Sequence, residues 1–266
     1  MPDTPPIVLT IAGFDPSSGA GITADIKTIA AHGCYGVACI TALTVQSTTG
    51  VRQVVPVPGA VIHDTLQELA ADMDIAAVRI GMLGSAEVAR EVAAFLRGRP
   101  GVVVLDPILR ASSGTGLVDE AGFEVLRDAL LPLATVITPN MDEAAALTGL
   151  PVRDLEDMKA AAARLHRLGA RAVVLTGGHL DGREAVDLLS VSGADGFLQE
   201  FRSERLASRS THGTGCAFAT ALACNLAQKQ ELRNAVALAK EYVAKAIAHA
   251  YPLGRGIGPL NHFVMW

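Results

Sequence analysis

Short apolar runs alternate with longer amphipathic stretches along most of the chain. Residues 7–12 are apolar and rich in β-branched side chains, the pattern of a buried strand. Residues 23–31 repeat apolar side chains at helical spacing, and Gly33 closes that stretch. The alternation predicts further strands at 35–44, 51–57, 77–80, 102–105, 135–138 and 172–176. It predicts helices at 62–73, 86–96 (capped by Ser85), 120–131 and 154–167. The uninterrupted apolar run at 102–105 fits a strand covered on both faces, as in a parallel sheet. Later, 185–191 and 196–201 read as two antiparallel strands joined by Ser192-Gly193-Ala194-Asp195. Helices at 217–227 and 235–250 and a Gly/Pro-rich tail at 253–266 complete the chain. Together these predict one α/β domain over 1–266: a three-layer αβα fold with a mostly parallel central sheet and a late antiparallel strand pair.

The polar punctuation falls at one kind of place. Gly- or Asp-containing loops follow the strands that end near Ala12, Thr44, Ile80, Leu105 and Thr138. In an open α/β sheet those ends share one edge, where ligands bind. Gly13 to Gly21 is the first such loop, and its glycine spacing is not that of a dinucleotide fingerprint. Asp25 falls in the first turn predicted after it, either as a helix-start carboxylate or as a group facing the pocket. Gln46, placed in the turn after the second strand, carries both an amide donor and a carbonyl acceptor, a match for a ring nitrogen beside an amino group. Asp106-Pro107 ends the fourth buried run, with a carboxylate that either holds a metal–phosphate or caps the next turn. Thr138-Pro139-Asn140 follows the next, with Glu143 one helical turn on. Residues 112–116 form a candidate flap. His179 reads as a loop hydrogen-bonder rather than a base.

The segment Ser210-Thr211-His212-Gly213-Thr214-Gly215-Cys216 stands just before the Ala-rich helix. Glycines and small hydroxyl residues at a helix start leave several backbone N–H groups pointing one way, a cradle for an anion such as phosphate. Cys216 lies in the first turn, where a thiol is expected to be acidified relative to its free value. These features predict a phosphoryl-transfer site with Cys216 beside the acceptor hydroxyl. A cysteine hydrolase using Cys216 as nucleophile is the rival of a different class, and it requires a histidine base nearby.

Composition narrows the partners. Net charge is −5, and no basic block is present, which argues against a nucleic-acid surface. No apolar run reaches the roughly 20 residues that span a bilayer, and residues 1–6 lack a signal-peptide pattern. Cys34, Cys39, Cys216 and Cys224 show no CxxC or zinc spacing, so a reducing cytoplasm is expected. Aromatic residues make up only 4% of the chain, so the core is expected to be Ala, Val, Leu and Ile.

Thr10-Ile11-Ala12-Gly13-Phe14-Asp15-Pro16 with Gly19-Ala20-Gly21-Ile22, Ile40-Thr41-Ala42-Leu43-Thr44-Val45-Gln46, Ile80-Gly81-Met82-Leu83, Asp106-Pro107, Thr138-Pro139-Asn140 with Glu143, and His212-Gly213-Thr214-Gly215-Cys216 occur in this order. In combination they resemble the hydroxymethylpyrimidine/phosphomethylpyrimidine kinases of thiamine biosynthesis, within the ribokinase-like superfamily. Gly256-Ile257-Gly258-Pro259-Leu260-Asn261-His262-Phe263 also fits, so the resemblance spans nearly the whole chain. It implies an enzyme that uses ATP and Mg²⁺ to phosphorylate a pyrimidine alcohol and then its monophosphate. By the same resemblance Gln46 contacts the pyrimidine, and Gly13, Asp25, Thr44 and Met82 line its pocket. Gly213, Thr214, Gly215 and Cys216 form the anion hole, with Cys216 as the catalytic base. Asp106 and Glu143 lie near the metal, and Asn140, Thr176 and Lys240 near the nucleotide. The resemblance also implies a homodimer. Ser18, Val45 and Thr176 depart from the family pattern, which has glycine, alanine and often lysine there. Pyridoxal kinase, on the same scaffold, is the near alternative.

Overall fold

The computed structural model describes residues 4–99, 101–111, 114–178, 180 and 182–264. The sheet grows outward from β1 (Ile7–Phe14), which pairs in parallel with β2 (Tyr35–Ser47) on one side and β4 (Ile75–Ile80) on the other. β5 (Val102–Leu105), β6 (Val136–Ile137) and β7 (Ala172–Leu175) continue the parallel order. β3 (Gly50–Pro56) closes one edge antiparallel to β2, and β8 (Glu184–Val191) and β9 (Phe197–Glu204) close the other. The order is β3-β2-β1-β4-β5-β6-β7-β8-β9. The late antiparallel pair is as expected. A second antiparallel strand, β3, stands at the opposite edge.

The two faces are set by alternation along each strand. Leu9 and Ile11 of β1, Val78 and Ile80 of β4, and Val103 and Leu105 of β5 pack on one side. That side is covered by α2 (Gly59–Asp72), α3 (Ala86–Leu96), α4 (Glu120–Val125), α5 (Met141–Thr148) and α6 (Leu155–Arg167). Val8, Ala77 and Val104 point the other way. There they meet α1 (Gly21–Ala31), α7 (Thr214–Ala227) and α8 (Leu232–Ala248). This is the expected three-layer arrangement. Alanines along α7 (Ala217, Ala219, Ala221, Ala223) let the helix lie close on the sheet, and all four are buried.

Several boundaries differ from the sequence reading. β2 runs on through Gln46 to Ser47 because β3 continues to pair with it, with a register shift at Val45/Gln46. Gln46 is therefore on a strand, not in a turn. The helix expected at 120–131 is α-helical only to Val125. It then widens into a π-helical turn, Leu126–Leu130, and tightens into a 3₁₀ turn, Leu131–Leu133, around Pro132. α5 was not anticipated: it is short, and it starts directly after the strand-ending Pro139.

Candidate active site

A cavity of about 760 Å³ opens at the carboxyl ends of the parallel strands. Gly13, Phe14 and Asp15 from β1 and its loop, Thr44 and Gln46 from β2, and Met82 after β4 line the end nearest β3. Thr176, Asp187, Lys240, Val243 and Ile247 line the end nearest β8 and α8. Between them lie Asp106, Thr138, Asn140, Glu143 and the segment Thr211 to Cys216. The loops predicted to converge do so. Of the predicted site residues only Asp25 does not reach the cavity.

The N-terminus of α7 opens into the middle of the cavity. Gly213 caps the helix in the left-handed region, at φ 81°. A Cβ there would lie 1.9 Å from the Gly19 carbonyl oxygen, so no other residue lets the two loops approach as they do. The Thr214 N–H turns back to the Thr211 carbonyl at 3.3 Å, and the N–H groups of Gly215 and Cys216 in the same first turn have no partner from the four-residue offset of helical bonding.

Cys216 sits in that first turn and lines the cavity, but it is only 8% exposed. Its thiol is pushed up to about 11 by burial, which outweighs the favourable charge of Arg79, while Asp106 and Asp25 push the same way as burial. The acidified thiol expected from the helix start is therefore corrected. Loss of water from the sulfur dominates the helix dipole here.

Asp25 is corrected too. α1 begins at Gly21, so Asp25 lies beyond its first turn, and the side chain is wholly buried. Its Oδ2 accepts from Thr10 Oγ1 at 2.6 Å and pairs with Arg79 Nη1 at 3.0 Å; its Oδ1 accepts from Thr220 Oγ1 at 2.8 Å. Arg79 is the residue the sequence reading passed over. It stands in the apolar run of β4, fully buried, and its Nη2 donates to Asp106 Oδ2 at 2.7 Å. Burial works against its charge, yet Asp25, Cys216 and Asp106 hold its pKa above the ordinary value. The available signal was a lone charge inside a buried strand just ahead of a cavity loop.

Asp106 and Glu143 are short of positive charge. Burial raises Asp106 to about 6, against the pull of Arg79. Burial, and then the charge of Asp106, raise Glu143 to about 8. Glu143 also closes a capping box with Asn140: the Asn140 N–H donates to Glu143 Oε2 and the Glu143 N–H to Asn140 Oδ1, both at 2.9 Å. Thr138 Oγ1, buried at the same spot, has no hydrogen-bond partner. Two carboxylates with raised pKa values and an orphaned hydroxyl fit a hydrated divalent cation. The described residues hold no cluster of three or more His, Cys, Asp or Glu able to cage one.

At the far end Lys240 Nζ pairs with Asp187 Oδ2 at 2.7 Å and donates to the Ala185 carbonyl at 3.1 Å. Thr176 bridges to Asn140 between β7 and the start of α5. At the near end the Gln46 amide lies between Thr44 Oγ1 (3.1 Å) and His212 Nε2 (3.3 Å). His212 Nε2 is also 2.8 Å from Asp15 Oδ2. The pairing of Asp15 with His212 was not foreseen, since the partners are far apart in sequence. Ser18, where the family pattern has glycine, takes φ 60°, a conformation glycine adopts freely. Ser112 and Ser113 of the candidate flap, and His179, lie outside the described residues. Gly114 of the flap and Ala111 beside it line the cavity.

The family model for phosphomethylpyrimidine kinase matches residues 15–261. The chain belongs to that family. It is a phosphotransferase on a ribokinase-like fold. Among curated relatives, the hydroxymethylpyrimidine/phosphomethylpyrimidine kinase of Streptomyces coelicolor is 44% identical, over 98% of this chain and 96% of that protein. The thiamine biosynthesis bifunctional protein ThiED of Geobacter sulfurreducens is 48% identical over 97% of this chain, which spans only 52% of that longer protein. Among solved structures, the phosphomethylpyrimidine kinase of Clostridium difficile superposes with TM-score 0.80 at 37% identity, covering 91% of this chain and 99% of that one. The pyridoxal kinase of Bacillus subtilis in its ADP complex gives 0.89 at 33% identity, covering 98% and 99%. Family membership implies use of ATP.

Proposed function

We propose that the protein transfers the γ-phosphoryl group of ATP to the hydroxymethyl oxygen of 4-amino-5-hydroxymethyl-2-methylpyrimidine, and then phosphorylates the monophosphate to the diphosphate, within thiamine biosynthesis. The observation that carries this reading is one cavity holding the Gln46 amide at one end and the N-terminus of α7, beside Asp106 and Glu143, at its middle. Gln46 reads the aminopyrimidine edge, while Gly13, Thr44 and Met82 surround the ring. With the Thr214 N–H turned to the Thr211 carbonyl, the amides of Gly213, Gly215 and Cys216 receive the migrating phosphoryl group, whose charge spreads over its outer oxygens. Mg²⁺, held near Asp106 and Glu143, neutralises phosphate charge when bound. Asn140, Thr176 and Lys240 lie along the nucleotide.

Cys216 is the catalytic residue of this reading, with a role set by its environment. A thiol that keeps its proton at neutral pH orients the alcohol first. Only its minor thiolate form takes up the hydroxyl proton, becoming the thiol in the step where the new P–O bond forms and the bond to ADP breaks. The cysteine-hydrolase reading loses its base: His212 is bound to Asp15 and Gln46, and none of the hydrogen bonds made by described histidines goes to Cys216.

A homodimer is part of the proposal, with the exposed Leu43, Val45 and Val55 of the β2–β3 hairpin offering an apolar face to a second copy. So is a reducing cytoplasmic setting, consistent with four free cysteines. A pyridoxal kinase is the second reading, favoured by the close superposition on pyridoxal kinases. ADP formation measured with each alcohol alone and with both in competition separates them. The pyrimidine alcohol is expected to be turned over and to suppress phosphorylation of pyridoxal. Turnover of pyridoxal alone would overturn the proposal.

A further inference from the structure

A primary amide can be turned over about its last bond, exchanging oxygen for NH₂ with almost no change of shape. For a pyrimidine edge that exchange decides what is read. A 4-amino ring presents a donor beside an accepting ring nitrogen. Its 4-oxo isostere presents an acceptor beside an N–H. Each matches one orientation of the amide and opposes the other.

The neighbours of Gln46 fix the orientation. Asp15 accepts the Ser17 N–H at 2.8 Å and the Ser17 hydroxyl at 2.7 Å through Oδ1, and the Ala20 N–H at 3.0 Å through Oδ2. Burial works to raise its pKa, but the bonds from His212 and Ser17 prevail and hold it below the ordinary value. Asp15 is therefore a carboxylate surrounded by donors, and it can only accept. His212 Nε2, 2.8 Å away, must carry a proton, whether the ring is neutral or cationic. With that one proton given to Asp15, Nε2 has no lone pair to offer the near end of the Gln46 amide, which can only share the same N–H. At the other end, the Thr44 hydroxyl donates to the Phe14 carbonyl at 2.9 Å, so its lone pairs face the amide. With nitrogen toward His212 and oxygen toward Thr44, two donors oppose each other and one hydroxyl proton serves two acceptors. The turned-over amide removes the clash of donors and frees the Thr44 proton for Phe14 alone, leaving only the His212 N–H shared between Asp15 and Gln46. Its oxygen accepts from His212, its nitrogen donates to Thr44, and its outer edge keeps one lone pair and one N–H for a ligand. The ring of His212 fits there because residue 19 is glycine: a Cβ would lie 2.2 Å from His212 Cδ2.

We propose that Asp15 and His212 are positioning residues that lock the Gln46 amide in one orientation, making the pocket selective for a 4-aminopyrimidine alcohol over its 4-oxo isostere. This rests on the reading of Gln46 as the pyrimidine contact. The test measures equilibrium binding of both alcohols to the full-length protein and to the H212L, D15N and Q46L variants, each checked by thermal melting, with the nucleotide KM as control. The native protein is expected to prefer the amino form by roughly 100-fold or more, as polar sites reject a ligand that leaves them unpaired. In H212L the preference is expected to drop by at least about ten-fold with the nucleotide KM unchanged. D15N, whose amide can donate to Nε2 and turn it into an acceptor, is expected to weaken or invert the preference, and it carries the test if H212L fails to fold. A native-like ratio in the folded His212 and Asp15 variants, with discrimination lost in Q46L, would overturn the proposal alone. Unchanged affinity and ratio in Q46L would instead overturn the reading beneath it.

Discussion

Arg79 is a cation with no contact with water, held between Asp25 and Asp106 and touching the Cys216 sulfur. Removing one member of such a set strands the others as uncompensated buried charges. Arg79→Met is expected to lower stability by about 3–5 kcal/mol, measured by urea unfolding, and Arg79→Lys by less. Cys216→Ala is expected to lower kcat by about 10²–10⁴-fold while leaving the nucleotide KM nearly unchanged, read from initial rates of ADP formation. Near-full turnover would mean the thiol only fills space. At this scale, legibility followed the reach of the interaction. Asp106 and Asn140 announce themselves beside strand-ending prolines, and Glu143 follows at capping-box spacing. Asp25 was misassigned because its partner, Arg79, lies on another element, and nothing local tells a carboxylate bound for a cavity from one bound for a buried ion pair.

The C-terminal tail is tied down by groups that respond to acid. His262 Nδ1 lies 3.1 Å from Thr28 Oγ1 on α1, and the Tyr242 hydroxyl of α8 donates to the His262 carbonyl at 3.0 Å. Burial, and then the nearby Lys27, lower the His262 pKa to about 4. Below about pH 6.5 the unfolded chain binds a proton that the folded one refuses until about pH 4. The folded state therefore loses stability as pH falls through that window, by about 3 kcal/mol from this group. His262→Gln is expected to flatten the decline between pH 6.5 and 4, measured as unfolding free energy against pH. Among the elements, strongly periodic stretches were predicted within a few residues, as for β5 and α3. The misses have physical causes. Pairing with β3 extended β2 past Gln46, Pro132 and its neighbours broke a regular helix into three geometries, and the short α5 gave too little periodicity to register.

The cleft draws on strands from β1 to β9, so a ligand at either end ties together elements far apart in the sheet. At one hundred times its Kd, a nucleotide is expected to stabilise the protein by about 2.7 kcal/mol, raising Tm by about 5–10 °C in a melting scan. Lys240→Ala is expected to lose most of that shift while keeping the shift given by the pyrimidine alcohol. The whole-molecule architecture was legible because strand–helix alternation limits the topologies open to a chain. What pairs at each sheet edge was less so, since a strand's direction leaves little trace in its residues. The layer formed by α7 has an implication for how the protein is made. Most strands lie beside the one before them in sequence, so the sheet can assemble as the polypeptide leaves the ribosome. Ala77 and Val104 on β4 and β5, however, stay uncovered until residues 214–227 have emerged. For most of its synthesis the nascent protein shows a bare greasy wall, and a chain halted near residue 205 should depend on chaperones and precipitate without them.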